Sequence, residues 1–363
     1  MAVATSPAPP APSTHSMLRG RRLPGYALPG IAASSLAVAA LLFALTPLQG
    51  TAGYVVFAVL LYAVSQTVVS FSFEGRRHAV DRLFTTLIYL AFVLAALPLI
   101  SITWYTVSKG IGSVTAKFLT TSMFRVNPEG PGGGIYHAII GTLEQSLLAT
   151  VIAAPLGILA AVYLVEYGGR RLFARTVSFF VDVMTGVPSI VAGLFVYAAW
   201  ILVLGFQKSG FAGALALFIL MLPTVIRSTE EMLKLVPNEL REASYALGVP
   251  KWRTIMRIVL PTAASGIMTG VMLGLARIMG ETAPLLLLVG INQRIQLNPF
   301  AGHTQQVPQE SLPTFIFEQF QVAVGNTQSP AFQRAWGAAL VLIVIIGLLN
   351  LFARLIARFT SVR

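Results

Sequence analysis

Long charge-free runs separated by short charged segments set the pattern of this chain. From Leu23 to Phe73 there is no Lys, Arg, Asp or Glu. That stretch is too long for one helix and breaks at Pro47–Gly53, which predicts spans near 31–47 and 53–71. The first apolar run exceeds the core of a secretory signal and a second follows at once, so both are read as spans. Further charge-free runs occupy Leu83–Ser108, Gln145–Val165, Val183–Gln207, Ser209–Ile226, Pro261–Ala276 and Ala335–Ala353, and Thr282–Gly290 prolongs the fifth beyond two charges. They predict six more helices near 83–106, 137–165, 185–205, 210–228, 262–290 and 333–357. The expected fold class is all-α, a polytopic helical membrane protein with eight spans.

Composition agrees with that reading. Of 363 residues, 56% are hydrophobic and 10% charged, against about 25% charged in an ordinary soluble domain. A soluble enzyme, a disordered chain and a coiled coil are excluded. The formal net charge of +12 needs no nucleic acid to explain it. With the N-terminus inside, the cytoplasmic segments hold 18 Lys and Arg and the outer segments six, with Arg277 within a span. This bias predicts a multi-pass protein of the cell inner (plasma) membrane with both termini cytoplasmic. Residues 1–26, rich in Pro, Ala and Ser and then basic at Arg19, Arg21 and Arg22, read as a disordered cytoplasmic tail. The expected organisation is this tail, two helices within 27–73, and a main transmembrane domain over 74–363.

Little of the chain offers covalent or metal chemistry. There is no Cys, and His15, His78, His137 and His303 lie far apart, so no metal site is expected. No G-x-x-x-x-G-K-S/T occurs, so the chain is not expected to hydrolyse ATP or to bind a cofactor of its own. Two outer segments are long. Residues 107–136 carry Asn127-Pro128-Glu129-Gly130-Pro131 and the Gly132–Gly134 run, a flexible turn. Residues 291–332 contain Ser311-Leu312-Pro313 and the apolar stretch Thr314–Phe320, expected to fold back towards the membrane.

The most informative stretch is 229–261, far more charged than its surroundings and therefore outside the bilayer. Pro237, Asn238 and Glu239 signal a helix start. Leu240, Ala243, Ala246 and Leu247 share one face, and Gly248 ends the helix. Pro250 opens a second short helix whose Trp252, Ile255, Met256 and Val259 face one way. Pro261 marks re-entry into the membrane. Such a helix pair is either a docking surface for a partner or a loop lying on lipid headgroups, held by Arg and Trp.

Glu242-Ala243-Ser244, three residues, Gly248, nine residues, then Ile258-Val259-Leu260-Pro261 resembles the EAA signature of ABC importer permeases, with Ser244 in place of the second Ala. The resemblance implies a coupling loop seated on an ATPase subunit, with Glu242, Ala243, Ser244, Gly248, Ile258, Leu260 and Pro261 as its coupling residues. A second cluster, Ala276-Arg277-Ile278-Met279-Gly280-Glu281-Thr282-Ala283-Pro284-Leu285, looks like the corresponding stretch of phosphate-uptake permeases of the PstA type. Gly186–Val191, Gly193–Phe195, Pro155–Gly157 and Tyr163–Tyr167 also resemble that family. The likeness covers about residues 83–363. It implies a six-span type I importer core plus two extra N-terminal spans. It also implies three protein partners: a PstB-like ATPase that uses ATP and Mg, a PstC-like second permease, and an extracytoplasmic PstS-like phosphate-binding protein.

Three charged residues, Arg277, Glu281 and Glu144, fall well inside the predicted spans, away from their ends. At 1.5 Å per residue, Arg277 lies about 24 Å along its helix from Pro261, near mid-membrane, where an ionised group costs at least about 2.5–3.5 kcal/mol unless paired or hydrated. Arg277 and Glu281 are four apart and can pair on one helix face. Either they neutralise each other and hold helices together, or Arg277 offers its planar donors to a phosphate oxyanion while Glu281 orients it. Glu144, among Thr142, Gln145 and Ser146, either lines the path or bonds a neighbouring helix. Two rival functions are weighed: an ABC permease for another oxyanion or nutrient, and an ion-coupled secondary transporter using Glu144, Arg277 and Glu281 as a proton relay.

Overall fold

The computed structural model of the chain describes residues 23–45, 50–169, 171–300, 303 and 305–360. Most of the expected tail, and Pro47 of the expected break, lie outside the described residues. Among the described residues every named element is a helix. Seven helices are long and apolar enough to cross a membrane, or eight if one sharply bent pair counts as a single span.

The chain divides into two compact units at Ile102/Thr103. The first holds α1 (Ala27–Leu45), α2 (Thr51–Glu74) and most of α3 (Arg76–Gly110). Its helices are mostly apolar, and polar groups of α2 and α3 are tied together. The carboxylate of Glu74, 1% exposed, accepts hydrogen bonds from Leu23 N, Ser70 Oγ and Arg82 Nη2 at 2.7–2.8 Å. Gln66 donates to Arg82 O and Thr86 Oγ1. A polar group unpaired among apolar side chains costs several kcal/mol in a bilayer, so these bonds fix the register of α2 on α3.

The second unit runs from Thr103 and contains α4 (Ala116–Thr120), α5 (Tyr136–Val162), α6 (Leu172–Thr185), α7 (Ser189–Val196), α8 (Gly210–Lys234), α9 (Asn238–Ala246), α10 (Lys251–Thr254), α11 (Leu260–Met279), α12 (Ala283–Leu288), α13 (Leu312–Val322) and α14 (Pro330–Thr360). Wider π-helical turns prolong α5 over Tyr163–Gly168, prolong α7 over Tyr197–Val203, and join α10 to α11 over Ile255–Val259. α8 is central: 61% of its apolar window is buried, far more than in any other candidate span. It packs along α5 through small residues, Ala149, Ala153, Gly157 and Ala161 on α5 against Ala212, Ala216 and Val225 on α8. A Cβ at Gly157 would come within 2.7 Å of Val225 Cγ1. Association in lipid depends on such close backbone approach.

Three boundaries differ from the sequence expectation. The span expected at 185–205 is instead the second arm of a bent pair, Leu172–Thr185 and Ser189–Val203, which meet at 109°. Gly186-Val187-Pro188 makes the corner, because Pro188 disfavours helical backbone at Val187. The span expected at 262–290 stops at Met279 and resumes at Ala283. Pro284 cannot donate to Gly280 and would clash with its carbonyl. Pro261, by contrast, does not separate the second hairpin helix from its span. Lys251–Met279 is continuous, and the π-turn ahead of Pro261 absorbs the missing donor.

The outer segment 291–332 does fold back. Val307 bridges Ser209, Gln309 N donates to Val289 O, and α13 buries Leu312 and Phe315 against α5 and α14. Arg334 of α14, 4% exposed, donates to Gln319 Oε1 and to the carbonyls of Pro128, Gly130 and Gly132. That turns the glycine run into a fixed loop rather than a flexible one. Beneath α13, Glu310 lies 3.3 Å from His137 Nε2 on α5, and its carboxyl shares a hydrogen bond with Glu318. Burial pushes Glu310 up to about 7 and Glu318 up to about 8, with Glu310 adding to the latter shift. One proton between the two carboxyls keeps this cluster from holding two negative charges.

The sign of the pH dependence follows. Both carboxyls bind protons more tightly folded than unfolded, so their contribution is complete below the ordinary Glu range near 4.5 and is lost as pH rises through 7 to 8. Hydrogen exchange across 308–322 is expected to quicken between pH 6 and about 8.5 beyond the intrinsic base-catalysed rise. Glu318→Gln is expected to flatten that excess. An unchanged excess in the variant would contradict the shared proton.

Candidate functional site

The hairpin over 237–260 is built by two prolines and one glycine. Pro237 precedes α9 and Pro250 precedes α10, each with extended backbone that starts the helix. Between them Gly248 has φ of +74°, which a side chain tolerates poorly. Nothing lies within 4 Å of a Cβ placed there, so backbone conformation alone demands glycine. The two helices are joined by Ser244 Oγ and Thr254 Oγ1 at 2.8 Å, both buried. The position where the chain departs from the EAA pattern therefore carries the bond that closes the hairpin. Sequence reasoning treated Ser244 as a small-for-small change; the signal it missed was a second hydroxyl ten residues on.

The apolar stripes divide between two directions. Leu240, Ala243, Ala246 and Leu247 are all exposed, Leu247 at 83%. Trp252 and Met256 are exposed as well, while Ile255 and Val259 are buried, so the single face expected of the second helix is two. Glu242 and Gly248 are exposed beside these groups. Ile258 and Leu260 are half-buried and Pro261 is exposed, at the start of α11. An apolar patch with one carboxylate, next to Arg253 and Arg257, is the surface on which a partner can seat.

Arg241, beside Glu242, turns the other way. Its guanidinium donates to Glu166 Oε1 at 2.9 and 3.1 Å, to Val236 O at 2.6 Å and to Leu233 O at 2.9 Å. At the inner end of α8, Arg227 bonds Asp182 at 2.5 Å, Glu230 at 2.6 Å and Ser178. Asp182 is thus an ion-pair partner bracing α6 on α8.

The three charges expected inside spans are placed differently from one another. Arg277 is exposed in the last turn of α11, and Glu281 sits half-buried in the break before α12. No ion pair or hydrogen bond joins them among the described residues. The continuous helix face that would have paired them does not exist, because the helix stops at Met279. Glu144 on α5 accepts a hydrogen bond from Gln309 Nε2, and its neighbour Gln145 donates to Gln309 O at 2.8 Å. Thr142 receives Leu312 N at 2.7 Å. This polar face of α5 therefore fastens the outer segment. Among the described residues no group of three or more His, Asp or Glu is arranged to hold a metal ion.

A family model described as binding-protein-dependent transport system inner membrane component matches residues 153–362, more than half of the chain and all of the hairpin. The chain belongs to this family. Within it, the chain is 50% identical over 289 residues to "Phosphate transport system permease protein PstA 1" of Mycobacterium tuberculosis, covering 79% of this chain and 91% of that protein. It is 44% identical over 259 residues to "Phosphate transport system permease protein PstA" of Yersinia pestis, covering 71% and 83%. A solved bacterial ABC transporter involved in the import of the acidic polysaccharide alginate aligns with a TM-score of 0.50 at 17% identity, over 76% of this chain and 98% of that one. That likeness speaks to the fold alone. This permease-family chain thus combines a transmembrane core with an exposed helical hairpin and has no nucleotide-hydrolysing motif of its own.

The hairpin geometry predicts a graded response at Gly248. Gly248→Asn, which accepts left-handed backbone more readily, is expected to retain most of the hairpin's function. Gly248→Val is expected to lose it, at a cost of about 1–2 kcal/mol to the turn. Retention of an ATPase subunit during purification of the two variants is the measurement.

Proposed function

We propose that this chain is a membrane permease subunit of an ATP-driven importer of inorganic phosphate. Identity of 50% to a protein named for phosphate transport, across four-fifths of this chain, carries the substrate. The exposed EAA hairpin supports the energy source: Leu240, Ala243, Leu247 and Glu242 offer a PstB-like ATPase its seat. ATP-driven closure of that partner would push the hairpin and tilt the spans from inward-open to outward-open. Hydrolysis, with its ATP and Mg, belongs to the partner.

A PstC-like second permease completes the path, and a PstS-like binding protein delivers phosphate from outside. The Lys and Arg bias supports cytoplasmic placement of both termini and of the hairpin. Arg277 is the substrate contact. It is exposed, and among the described residues no ion pair reaches it, which leaves its planar donors for an oxyanion. Glu281, four residues on, keeps the anion from resting on Arg277. Glu144, held by Gln309 Nε2, is the third residue assigned to the path. The exposed hairpin and the absent Arg277–Glu281 pair both weigh against a proton-relay transporter.

Two outcomes test the reading. Phosphate uptake into proteoliposomes holding the full complex is expected to require ATP and to ignore a protonophore. Arg277→Gln is expected to reduce uptake by about two orders of magnitude, as losing a charge-assisted contact of roughly 3 kcal/mol would, with all subunits still co-purifying. Loss of assembly in that variant would make Arg277 a packing residue instead.

A further inference from the structure

We propose that Glu166 and Arg241 are a positioning pair that fastens the hairpin to the inner ends of α5 and α8, so that a push on the hairpin moves those spans. This rests on the importer reading above.

The geometry is specific. Arg241 lies in α9, one residue before Glu242, yet it points away from the exposed apolar face. Its side chain is 12% exposed and that of Glu166 is 6% exposed. A guanidinium has five N–H donors and no acceptor, and here they are spread over three segments. Two reach Glu166 in the π-turn that ends α5. Others reach the carbonyls of Leu233 and Val236 at the end of α8, and Asn238 Oδ1 at the start of α9. The last carbonyls of a helix lack internal partners and carry partial negative charge, so a cation there satisfies them twice over.

The second arm of the hairpin holds the same turn. Lys251, first residue of α10, donates to the backbone carbonyl of Glu166 and lies 4.9 Å over the ring of Tyr167. Ser244–Thr254 then joins the two arms. The hairpin is thus bonded to the ends of two spans, by half-buried contacts at Arg241 and an exposed one at Lys251, while its opposite face is exposed. A loop merely resting on a span would need none of this. A removed carboxylate would leave a half-buried cation with its fork half used, and the hairpin would pivot on the remaining carbonyl bonds.

The test uses the complete importer complex in proteoliposomes and reads phosphate taken up per ATP hydrolysed. For Glu166→Gln and Arg241→Lys, co-purification of the ATPase subunit and its hydrolysis rate are expected to stay within about twofold, while uptake per ATP falls roughly fivefold, the range of a lost coupling contact. Arg241→Lys in a Glu166→Gln background is expected to add little, since both changes break one link. Unchanged uptake per ATP in either variant would overturn the proposal. So would additive losses, or loss of assembly in step with uptake, which would make the pair a simple fold contact. If the unaltered complex showed no ATP-dependent phosphate uptake, the importer reading itself would fail, a different result from an intact importer indifferent to these residues.

Discussion

Close backbone approach between α5 and α8 is the constraint on which the second unit depends. Lipid tails are as apolar as the side chains they replace, so helices there gain little from hiding apolar surface from one another. They gain from contact, and contact requires small residues. Ala149, Ala153, Gly157 and Ala161 supply them on α5, and Ala212 and Ala216 on α8. The same device recurs at Gly193, whose Cβ would meet Pro284 Cα at 2.7 Å, and at Gly141, whose Cβ would meet Glu310 O at 2.0 Å. α7 thereby reaches α12, and the outer segment reaches α5.

Helix number and the hairpin were legible in the sequence because each rests on a local signal. Charge-free runs of about 20 residues need no partner to be recognised. Pro237, Gly248 and Pro250 act on their own backbone, so the two-helix pattern could be read without knowing what it packs on. Arg277 was legible as an isolated charge in an apolar run, although the break at Gly280–Thr282 removed the helical neighbour assigned to it.

What stayed hidden was set by contacts distant in sequence. Glu144 looks like a path residue until Gln309, far along the chain, is found bonded to it. Arg241 reads as one of several cytoplasmic cations until Glu166 is seen beside it. The glycine run at 132–134 reads as a free turn until Arg334 is found holding its carbonyls. Proline was ambiguous in the same way: Pro284 follows a break in a span, whereas Pro98, Pro155 and Pro223 lie inside continuous helices.

The two ends of α5 deserve to be considered together. From Glu144 to Glu166 is about 30 Å at the helical rise, and each end is fastened, one to the outer segment through Gln309 and one to the hairpin through Arg241. Between those two anchors α5 also meets α8 at Gly157, and Pro155 lies inside it. On the importer reading, one helix therefore joins the hairpin to the outer segment directly, and a push on the first would reach the second without a relay through other spans.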